Sequence, residues 1–565
     1  MVCRRVRCKG KGFRVGKSPR LSVPGSPVTP AADRSRPGGA VVAALMMCMG
    51  LAAIDGTIVS TAVPQIVGDL GGFSVFSWLF SGYLLTVTVT LPVYGKLSDT
   101  LGRKPVLIVG IVLFLIGSLL CALAWNMASL IAFRIVQGLG GGALQGTVQT
   151  IAADLYPLKE RPRIQARLST VWAVSAVAGP AVGGLLAAYA DWRWIFLINL
   201  PLGAVTLWLI IRYLHEPGRT GTGAGSPKGV GRTGTGAGSP DRSRRTRTGT
   251  GTGTPAAARP RIDWPGALTV FGAGAALLTA LVQGGVGWPW LSAPSLTLLA
   301  AGAVLLALTV VIERRAADPM LPGWVWRRRP IAAVNLALGA LGLLMIAPTV
   351  FLPTYAQSVL GLDPISAGFV LSAMTLSWPI TAALSSRLYT RIGFRQTAII
   401  GIALAALILA VFPLLPYPAE PWQPALIMLL LGGALGLFQL PLIVGVQATV
   451  GWSERGTATA SILFYRQIGQ SLGAALFGAV ANAVLTARLG GAGDLDSVSH
   501  TLEDSASLTA EAADRLRRAV DAAVDHVYVG AAGAAVLALL VLVFLAPRHF
   551  PVIDEEAEEA ERPAG

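Results

Sequence analysis

Charged side chains are scarce in this sequence. Asp, Glu, Lys and Arg make up only 13% of its 565 residues, whereas soluble domains carry about 25%. Because 53% of the residues are hydrophobic, the composition excludes an ordinary soluble globule and is typical of a protein that crosses a membrane many times.

Cysteine is also scarce, and its placement excludes several kinds of site. The four cysteines, Cys3, Cys8, Cys48 and Cys121, show no spacing typical of metal ligands. We therefore expect neither a disulfide framework nor a metal site. Cys48 and Cys121 are expected to pack as small apolar residues.

Motifs that bind nucleotides are missing as well. The pattern GxxxxGK[ST] occurs nowhere, so no P-loop is available to drive work with ATP. The stretch GLGGG at 138–142 lies inside an apolar run with no preceding strand, which excludes a dinucleotide loop. We expect no cofactor and no enzymatic activity. Four scattered histidines and a low-complexity linker also argue against a membrane enzyme or receptor.

The sequence does contain fourteen apolar windows long enough to cross a bilayer as helices. They lie at 40–62, 75–94, 105–125, 129–153, 167–188, 194–213, 264–284, 292–312, 331–353, 364–386, 396–416, 423–447, 457–484 and 526–546. These windows predict an all-α integral membrane protein with fourteen transmembrane helices.

The distribution of Lys and Arg supports this count, because both residues concentrate in cytoplasmic loops. With a cytoplasmic N-terminus, 38 of the 45 basic residues fall in tails and loops on that side, five fall outside and two fall within spans. We predict that both termini are cytoplasmic. The net charge of +16 is then explained by the basic residues of the cytoplasmic loops and tails, and we expect no nucleic-acid partner.

The segments between the windows divide the chain into six predicted regions. Residues 1–39 form a basic cytoplasmic tail without the apolar core of a signal peptide, and residues 214–262 form a cytoplasmic linker with GRTGTGAGSP twice. We expect both segments to be disordered, since such compositions cannot bury a core. The other regions are a six-helix bundle at 40–213, two inserted helices and a loop at 263–329, a second six-helix bundle at 330–548 with an extracellular loop at 485–525, and an acidic cytoplasmic tail at 549–565.

One carboxylate, Asp55, stands well inside a predicted span, in IDGTIVSTAVP at 54–64. Three other acids fall at span ends: Asp154, Asp191 and Asp263. We therefore predict Asp55 to be the sole buried acid. An acid at membrane depth is by default a candidate functional residue. The alternative is a packing residue bonded to a hydroxyl such as that of Thr57.

Two arginines, Arg134 and Arg466, also lie inside predicted spans. An arginine at that depth costs about 2.5–3.5 kcal/mol on insertion scales, so it must face acceptors inside the protein. A helix places Gly138, Gly141 and Gln145 within about 40° of Arg134, and Gln149 about 60° away. This face predicts a polar, glycine-lined wall of a water-filled cavity. A structural hydrogen-bond hub is the alternative for both arginines.

The stretch GKLSDTLGRK at 95–104 has a degenerate copy, SRLYTRIGFR, at 386–395. The repeat indicates two related halves, as in many secondary transporters. We expect Gly95 and Gly102 to let a short loop turn sharply, and Asp99 and Arg103 to be within reach of each other across one helical turn.

The first copy resembles the signature loop of the major facilitator superfamily at Gly95, Leu97, Asp99, Gly102, Arg103 and Lys104. IDGTIVSTAVP, LIAFRIVQGLGGG (130–142), AVAGPAVGG (176–184) and DWRWIFLINLPLG (191–203) are similar to motifs of its fourteen-span drug:proton antiporters of the EmrB/QacA type. Ser60 and Ser175 depart from the residues usual there. The resemblance implies two pseudo-symmetric six-helix bundles plus two inserted helices.

The resemblance also implies roles for named residues. Asp55 and Arg134 would couple transport to protons, and the loop with Asp99 and Lys104 would latch the bundles on the cytoplasmic side. The stretch with Gly179, Pro180, Gly183 and Gly184 would form a bend and a seal in span 5 that favour antiport. Gly179-Pro180 is expected to break the backbone hydrogen-bond ladder of this span. The alternatives are a simple hairpin for the loop and helix packing alone for the glycine stripe.

The predicted function is proton-coupled export of lipophilic, often cationic, drugs through a bacterial plasma membrane. The predicted partners are a small-molecule substrate, protons and the lipid bilayer, and the sequence is compatible with a monomer. The candidate cavity residues are Gln145, Gln149, Trp172 and Arg466. Two alternatives stay open, namely export of an endogenous metabolite, antibiotic or lipid by the same mechanism and, less favoured, proton symport.

Overall fold

The structure is a computed structural model that describes most of the apolar part of the chain. The described residues are 39–71, 78–158, 160–214, 263–284, 288–289, 291–316, 319, 322–489 and 510–553. The predicted tails, the linker and the middle of the predicted extracellular loop lie outside them, apart from a few residues at their ends.

Long helices dominate the described residues, and each of the fourteen apolar windows coincides with one. They are α1 Gly39–Ile58, α2 Trp78–Leu101, α3 Arg103–Ala122, α4 Met127–Leu155, α5 Arg161–Tyr189, α6 Asn199–Tyr213, α7 Trp264–Gln283, α8 Ala293–Arg315, α9 Arg329–Leu344, α10 Pro364–Ile392, α11 Phe394–Val411, α12 Trp422–Ala448, α13 Trp452–Leu489 and α14 Ala510–Phe544. A short helix, Trp194–Leu197, leads into α6, and three others lie between the long ones: Val63–Leu70, Trp324–Arg327 and Leu352–Ser358.

Thirteen of the described helices are long and apolar enough to cross a bilayer. The fourteenth predicted span lies in α5, a helix of 29 residues. α5 packs between α1 and α10. The described residues form an all-α fold in which fourteen long helices match the predicted spans.

Two predicted spans are interrupted at prolines. After α1, a 3-10 turn at Val59–Ala62 leads into the helix Val63–Leu70, which has Pro64 in its first turn. After α9, a π-helical turn at Ala347–Phe351 contains Pro348. Proline cannot donate to the preceding turn, so the regular α-helical ladder changes register at these points.

The Gly179-Pro180 step lies within α5. The helix is continuous from Arg161 to Tyr189, so the predicted break is limited to the one ladder bond that proline cannot make. Proline removes one backbone donor, but the neighbouring turns retain helical conformation.

The helices form two bundles of six. In the first, α4 packs on α2 and α3, and α1 packs on α5 and α6; in the second, α12 packs on α10 and α11, and α13 packs on α9 and α14. The bundles meet along α2 with α13 and along α5 with α10. The inserted helix α7 lies against α2 and α13, and α8 packs on α7.

The internal repeat is visible in the backbone. Gly102 separates α2 from α3 with φ of 103°, and Gly393 separates α10 from α11 with φ of 88°. Both glycines adopt a conformation that L side chains avoid, which lets the chain reverse between two helices within one residue. The offset of 291 residues between the copies relates α2 to α10, in agreement with two related halves.

Candidate functional site

A buried ion pair joins α1 to α4. The carboxylate of Asp55 is 0% exposed, and Oδ2 lies 2.5 Å from Nη1 of Arg134. The other carboxylate oxygen, Oδ1, accepts hydrogen bonds from Gln137 Nε2 at 2.8 Å and from Asn199 Nδ2 at 3.1 Å. A buried carboxylate requires such donors, because burial without partners is costly.

A second layer of polar groups holds these donors in place. Ser118 Oγ on α3 accepts from Asn199 at 3.0 Å and donates to the carbonyl oxygen of Phe196 at 2.9 Å. Arg134 Nη1 also donates to Gln137 Oε1 at 2.9 Å, and its guanidinium lies 4.2 Å from the ring centroid of Tyr83 on α2. The site therefore depends on the relative placement of five helices, α1 to α4 and α6.

Glycines on α4 bring these helices close together. A Cβ added at Gly138 would lie 2.8 Å from the carbonyl oxygen of Tyr83, and one at Gly141 would lie 2.9 Å from the Tyr83 hydroxyl oxygen. Both glycines are buried, and Gln145 is only 8% exposed. The predicted glycine-lined wall of a cavity is therefore wrong for Gly138 and Gly141, since they form a helix contact with α2.

Sequence reasoning located Asp55 and Arg134 but missed Ser118, Gln137 and Asn199. Single uncharged polar residues are common in membrane helices, so none of them stood out. One signal was available, because Gln137 follows Arg134 by three residues and therefore lies on the same helix face. Thr57, the partner considered for Asp55, instead places its hydroxyl 3.0 Å from the carbonyl oxygen of Ser175.

A second polar site connects the two bundles where α2 ends and α13 begins; we call this end of the molecule the latch end. Asp99 accepts from the backbone N–H groups of Gly456 at 2.8 Å and Thr457 at 2.7 Å, and from the Thr457 hydroxyl at 2.6 Å. Arg103 Nη1 lies 3.0 Å from Asp99 Oδ1, within the reach that the four-residue spacing predicts. Asp99 thus bonds the opposite bundle directly.

Gly95 has a role other than the predicted turn. It lies inside α2, six residues before the helix ends, so the prediction that it turns the loop is wrong. A Cβ at this position would collide with the Cβ of Ala460 and lie 3.0 Å from the carbonyl oxygen of Gly456. Gly95 therefore permits close contact between α2 and α13, whereas Gly102 alone makes the turn.

Asp154 also belongs to the latch end, although the sequence placed it at a span end. Oδ2 of Asp154 lies 2.9 Å from Arg103 Nε, and Oδ1 lies 2.6 Å from Arg455 Nη1 of the opposite bundle. Asp99 and Asp154 are 3% and 6% exposed. The prediction that Asp55 is the sole buried acid is therefore wrong, because contact between the bundles buries acids that lie outside the apolar windows.

Arg103 and Lys104 complete the latch end. Arg103 Nη2 donates to the carbonyl oxygen of Trp452 at 2.5 Å, and its guanidinium lies 4.0 Å from the Trp452 ring centroid. Lys104 Nζ donates to the carbonyl oxygen of Ile211 at 2.8 Å, within its own bundle. Arg103 therefore bridges the bundles, whereas the contact given for Lys104 fixes α3 to α6.

The glycine stripe of α5 lies against α1. A Cβ added at Gly179 would collide with Oγ1 of Thr57, and Gly183 is buried. Gly184 lies in the same helix, one position beyond Gly183, and Pro180 lies one position beyond Gly179. The stripe brings α5 within close contact of the helix that carries Asp55.

The four candidate cavity residues do not form one hydrogen-bonded cluster in the described part of the chain. Gln149 Oε1 is buried without a partner there, and so is Arg466 Nε on α13. Trp172 on α5 is 38% exposed, whereas Gln145 is buried. The structure thus separates these residues between the two bundles, with Arg466 in the second.

A family model for the Major Facilitator Superfamily matches residues 45–474. The chain belongs to this superfamily. It is a multi-pass membrane transporter rather than an enzyme. The prediction of the family from its motifs is confirmed.

Individual relatives agree with the family. The chain is 32% identical over 450 residues to "Multidrug resistance protein 3" of Bacillus subtilis, covering 80% of each chain. It is 31% identical over 438 residues to "Efflux pump dotC" of the fungus Dothistroma septosporum, covering 76% of this chain and 69% of that one. Among solved structures, the human organic anion transporter MFSD10 matches with a TM-score of 0.53 and 14% identity, covering 89% of this chain and 99% of that one, which shows a shared fold.

Asn199 offers a direct test of how this transporter holds its buried ion pair. Replacing Asn199 by Ala removes one donor to Asp55 and one to Ser118. We expect the melting temperature to fall, because a lost hydrogen bond to a buried charged group costs about 1.5–3 kcal/mol. Thermal unfolding of purified protein in detergent measures this. The matched control is Asn482→Ala on α13, far along the chain from the pair; an equal loss in both variants would contradict the assigned role.

Proposed function

We propose that the protein is a proton-coupled exporter of lipophilic small molecules in a bacterial plasma membrane. The observation that carries this proposal is the fully buried carboxylate of Asp55, paired with Arg134 between membrane helices. Without a P-loop in the sequence, a transporter of this family needs an ion gradient as its energy source. A carboxylate that gains and loses a proton as the site opens to either side supplies the required exchange.

The geometry supports a series of contacts that links proton binding at Asp55 to movement of helices. A proton on Asp55 cancels its charge and weakens its attraction to Arg134, because only the ionised form makes the full electrostatic interaction. α1 and α4 would then be less firmly joined. Since α1 packs on α5 at Gly179, and α5 packs on α10 of the other bundle, a shift of α1 would reach the interface between the bundles.

The latch end supports an assignment of the state of the molecule. Asp99, Arg103 and Asp154 hold the bundles together there through Trp452, Arg455 and the first turns of α13. The distribution of Lys and Arg predicts that this end is cytoplasmic. The structure would therefore represent a state closed to the cytoplasm, in which an exported substrate leaves and a proton enters from outside.

Transport in reconstituted vesicles tests the proposal. Purified protein in liposomes is given a pH gradient, and the movement of the dye ethidium is followed by fluorescence together with the internal pH. We expect ethidium to move against its gradient in exchange for protons, and to stop when nigericin collapses the pH gradient. Ethidium movement at an unchanged rate after nigericin is added would contradict proton coupling.

The direction of proton flow separates the remaining alternatives. Protons and substrate moving in the same direction would indicate symport. An exporter of an endogenous metabolite, antibiotic or lipid would show no ethidium exchange, and a protein-dependent change in the lipids or metabolites of the expressing cells would identify its cargo.

A further inference from the structure

Arg466 on α13 differs from the other arginines of the two polar sites. Arg103, Arg134 and Arg455 each lie within 3.0 Å of a carboxylate oxygen. In contrast, Arg466 has no carboxylate within ion-pair distance in the described part of the chain, and its buried Nε has no hydrogen-bond partner there. The residue as a whole is half-buried. Its charge is therefore uncompensated by the described residues.

The charges in the middle of the described membrane helices leave an excess of one positive charge. Inside the predicted spans, and away from their ends, Asp55 is the acid and Arg134 and Arg466 are the bases, and the first two neutralise each other. The only acid of α13 is Glu454, in its first turn, where it pairs with Arg328. α9 and α12, which belong to the same bundle as α13, contain no acid. The acids of α14, which include Asp521 and Asp525, all precede its predicted span. Arg466 thus sets the sign of the charge at this depth.

Helix geometry gives the depth of Arg466. Arg455 pairs with Asp154, which fixes the level of α13 against α4. Counting along each helix from that pair, Arg466 lies about 16 Å away and Gln145 about 14 Å away, at 1.5 Å per residue. Arg134 lies about 30 Å away by the same count. Arg466 is therefore near the middle of the membrane helices, where transporters of this architecture bind substrate, and well apart from the Asp55 pair.

The backbone of Arg466 lies against α9 of its own bundle, where a Cβ added at Gly342 would collide with the Arg466 carbonyl oxygen. α13 contacts both α2 and α4 of the first bundle. Gln470 follows Arg466 by one turn on the same side of α13, so its amide offers neutral hydrogen bonds beside a single unpaired cation. Such a combination is complementary to a ligand with one anionic group and an otherwise uncharged body.

We propose that Arg466 binds the anionic group, a carboxylate, sulfonate or phosphate, of a lipophilic substrate. The proposal rests on the export function proposed above and specifies one chemical class of its cargo. It adds anionic compounds to the cationic cargo that the resemblance implies, since only an anion gains from contact with a guanidinium. A guanidinium suits this role, since its N–H groups match the oxygens of such anions.

Binding of two dyes with the same xanthene core and opposite net charge tests the proposal. Sulforhodamine B is anionic and rhodamine 6G is cationic. Their binding to purified full-length protein is measured by fluorescence anisotropy for the wild type, Arg466→Gln and Arg466→Lys. The matched control is Arg488→Gln, which makes the same change at an exposed position near the end of the same helix. Size-exclusion profiles and melting temperatures establish that each variant is folded.

We expect Arg466→Gln to weaken sulforhodamine B binding about tenfold or more, as loss of a charge-assisted pair predicts. Arg466→Lys should recover part of this loss, and rhodamine 6G binding should be unchanged or tighter. Absence of sulforhodamine B binding to the wild type, or equal effects on both dyes, would overturn the proposal.

Failure of this inference is distinguishable from failure of the export function. Proton-driven movement of rhodamine 6G by wild type and Arg466→Gln alike, without sulforhodamine B binding, would leave export intact and refute the anion site. Arg466-dependent binding of sulforhodamine B without proton exchange would support the site and refute proton coupling.

Discussion

Asp55→Asn protein should lose proton-driven ethidium transport completely while still inserting into the membrane. Asn has nearly the shape of Asp and can accept from Gln137 or Asn199, but it cannot exchange a proton at physiological pH. Removing one charge of a buried ion pair also leaves Arg134 without its carboxylate, a change that destabilises by about 3–5 kcal/mol in proteins. Transport is measured in liposomes with an imposed pH gradient, and insertion is measured by the yield of monodisperse protein.

The matched control for this experiment is Asp363→Asn. It makes the same substitution at an exposed residue, where Asp363 bonds the nearby Ser366. The control should transport at the rate of the wild type. Nigericin-sensitive transport by Asp55→Asn at the rate of the wild type would refute the assignment of Asp55 to proton coupling.

Gly95→Ala should slow transport about tenfold or more. Its Cβ would collide with the Cβ of Ala460, so α2 and α13 must separate before the latch end can close. Overpacking of this kind costs about 1–3 kcal/mol, and 1.4 kcal/mol changes an equilibrium tenfold. The closed state should therefore become a minor one. Hydrogen–deuterium exchange over residues 452–460 measures the loss of closure as faster exchange, alongside the rate of dye transport.

Gly433→Ala controls for the loss of a membrane glycine. Its added Cβ would lie 3.5 Å from Thr381 within the second bundle, which is ordinary van der Waals contact. Transport and exchange at 452–460 should match the wild type. Unchanged exchange in Gly95→Ala would mean that the contact between α2 and α13 does not control closure.

The helices were predictable because lipid constrains sequence strongly. A spanning helix needs a long apolar run, and all fourteen runs are helical in the structure. Irregularities within the helices were harder to predict from the sequence. Pro180 leaves α5 continuous, whereas α1 ends before Pro64. The two prolines differ in position, because Pro180 lies inside a helix, whereas Pro64 lies in the first turn of one, where the missing N–H is not needed.

The candidate site was predictable where charge stood against an apolar background. Asp55 and Arg134 were found in this way, but their pairing depends on how α1 packs on α4, and no local pattern carries that information. Asp154 was assigned to a span end and Arg455 was counted only as a cytoplasmic charge. Both are buried because two distant segments meet. Contacts between bundles thus give polar residues roles that their positions in the sequence do not indicate.

Asp154 has one partner on each side of the division between the bundles. When the bundles separate at the latch end, Arg455 departs with α13, but Arg103 belongs to the same bundle as Asp154 and can remain 2.9 Å away. The Asp154 carboxylate then always keeps one cationic partner. The Arg455 side chain enters water, where a single charge is well solvated. Opening of the latch end therefore moves one side chain, that of Arg455, from protein into water. It does not break a buried ion pair whose members have no other partner. A junction built in this way can open and close repeatedly at little net free-energy difference, which a carrier needs if neither of its states is to become a trap.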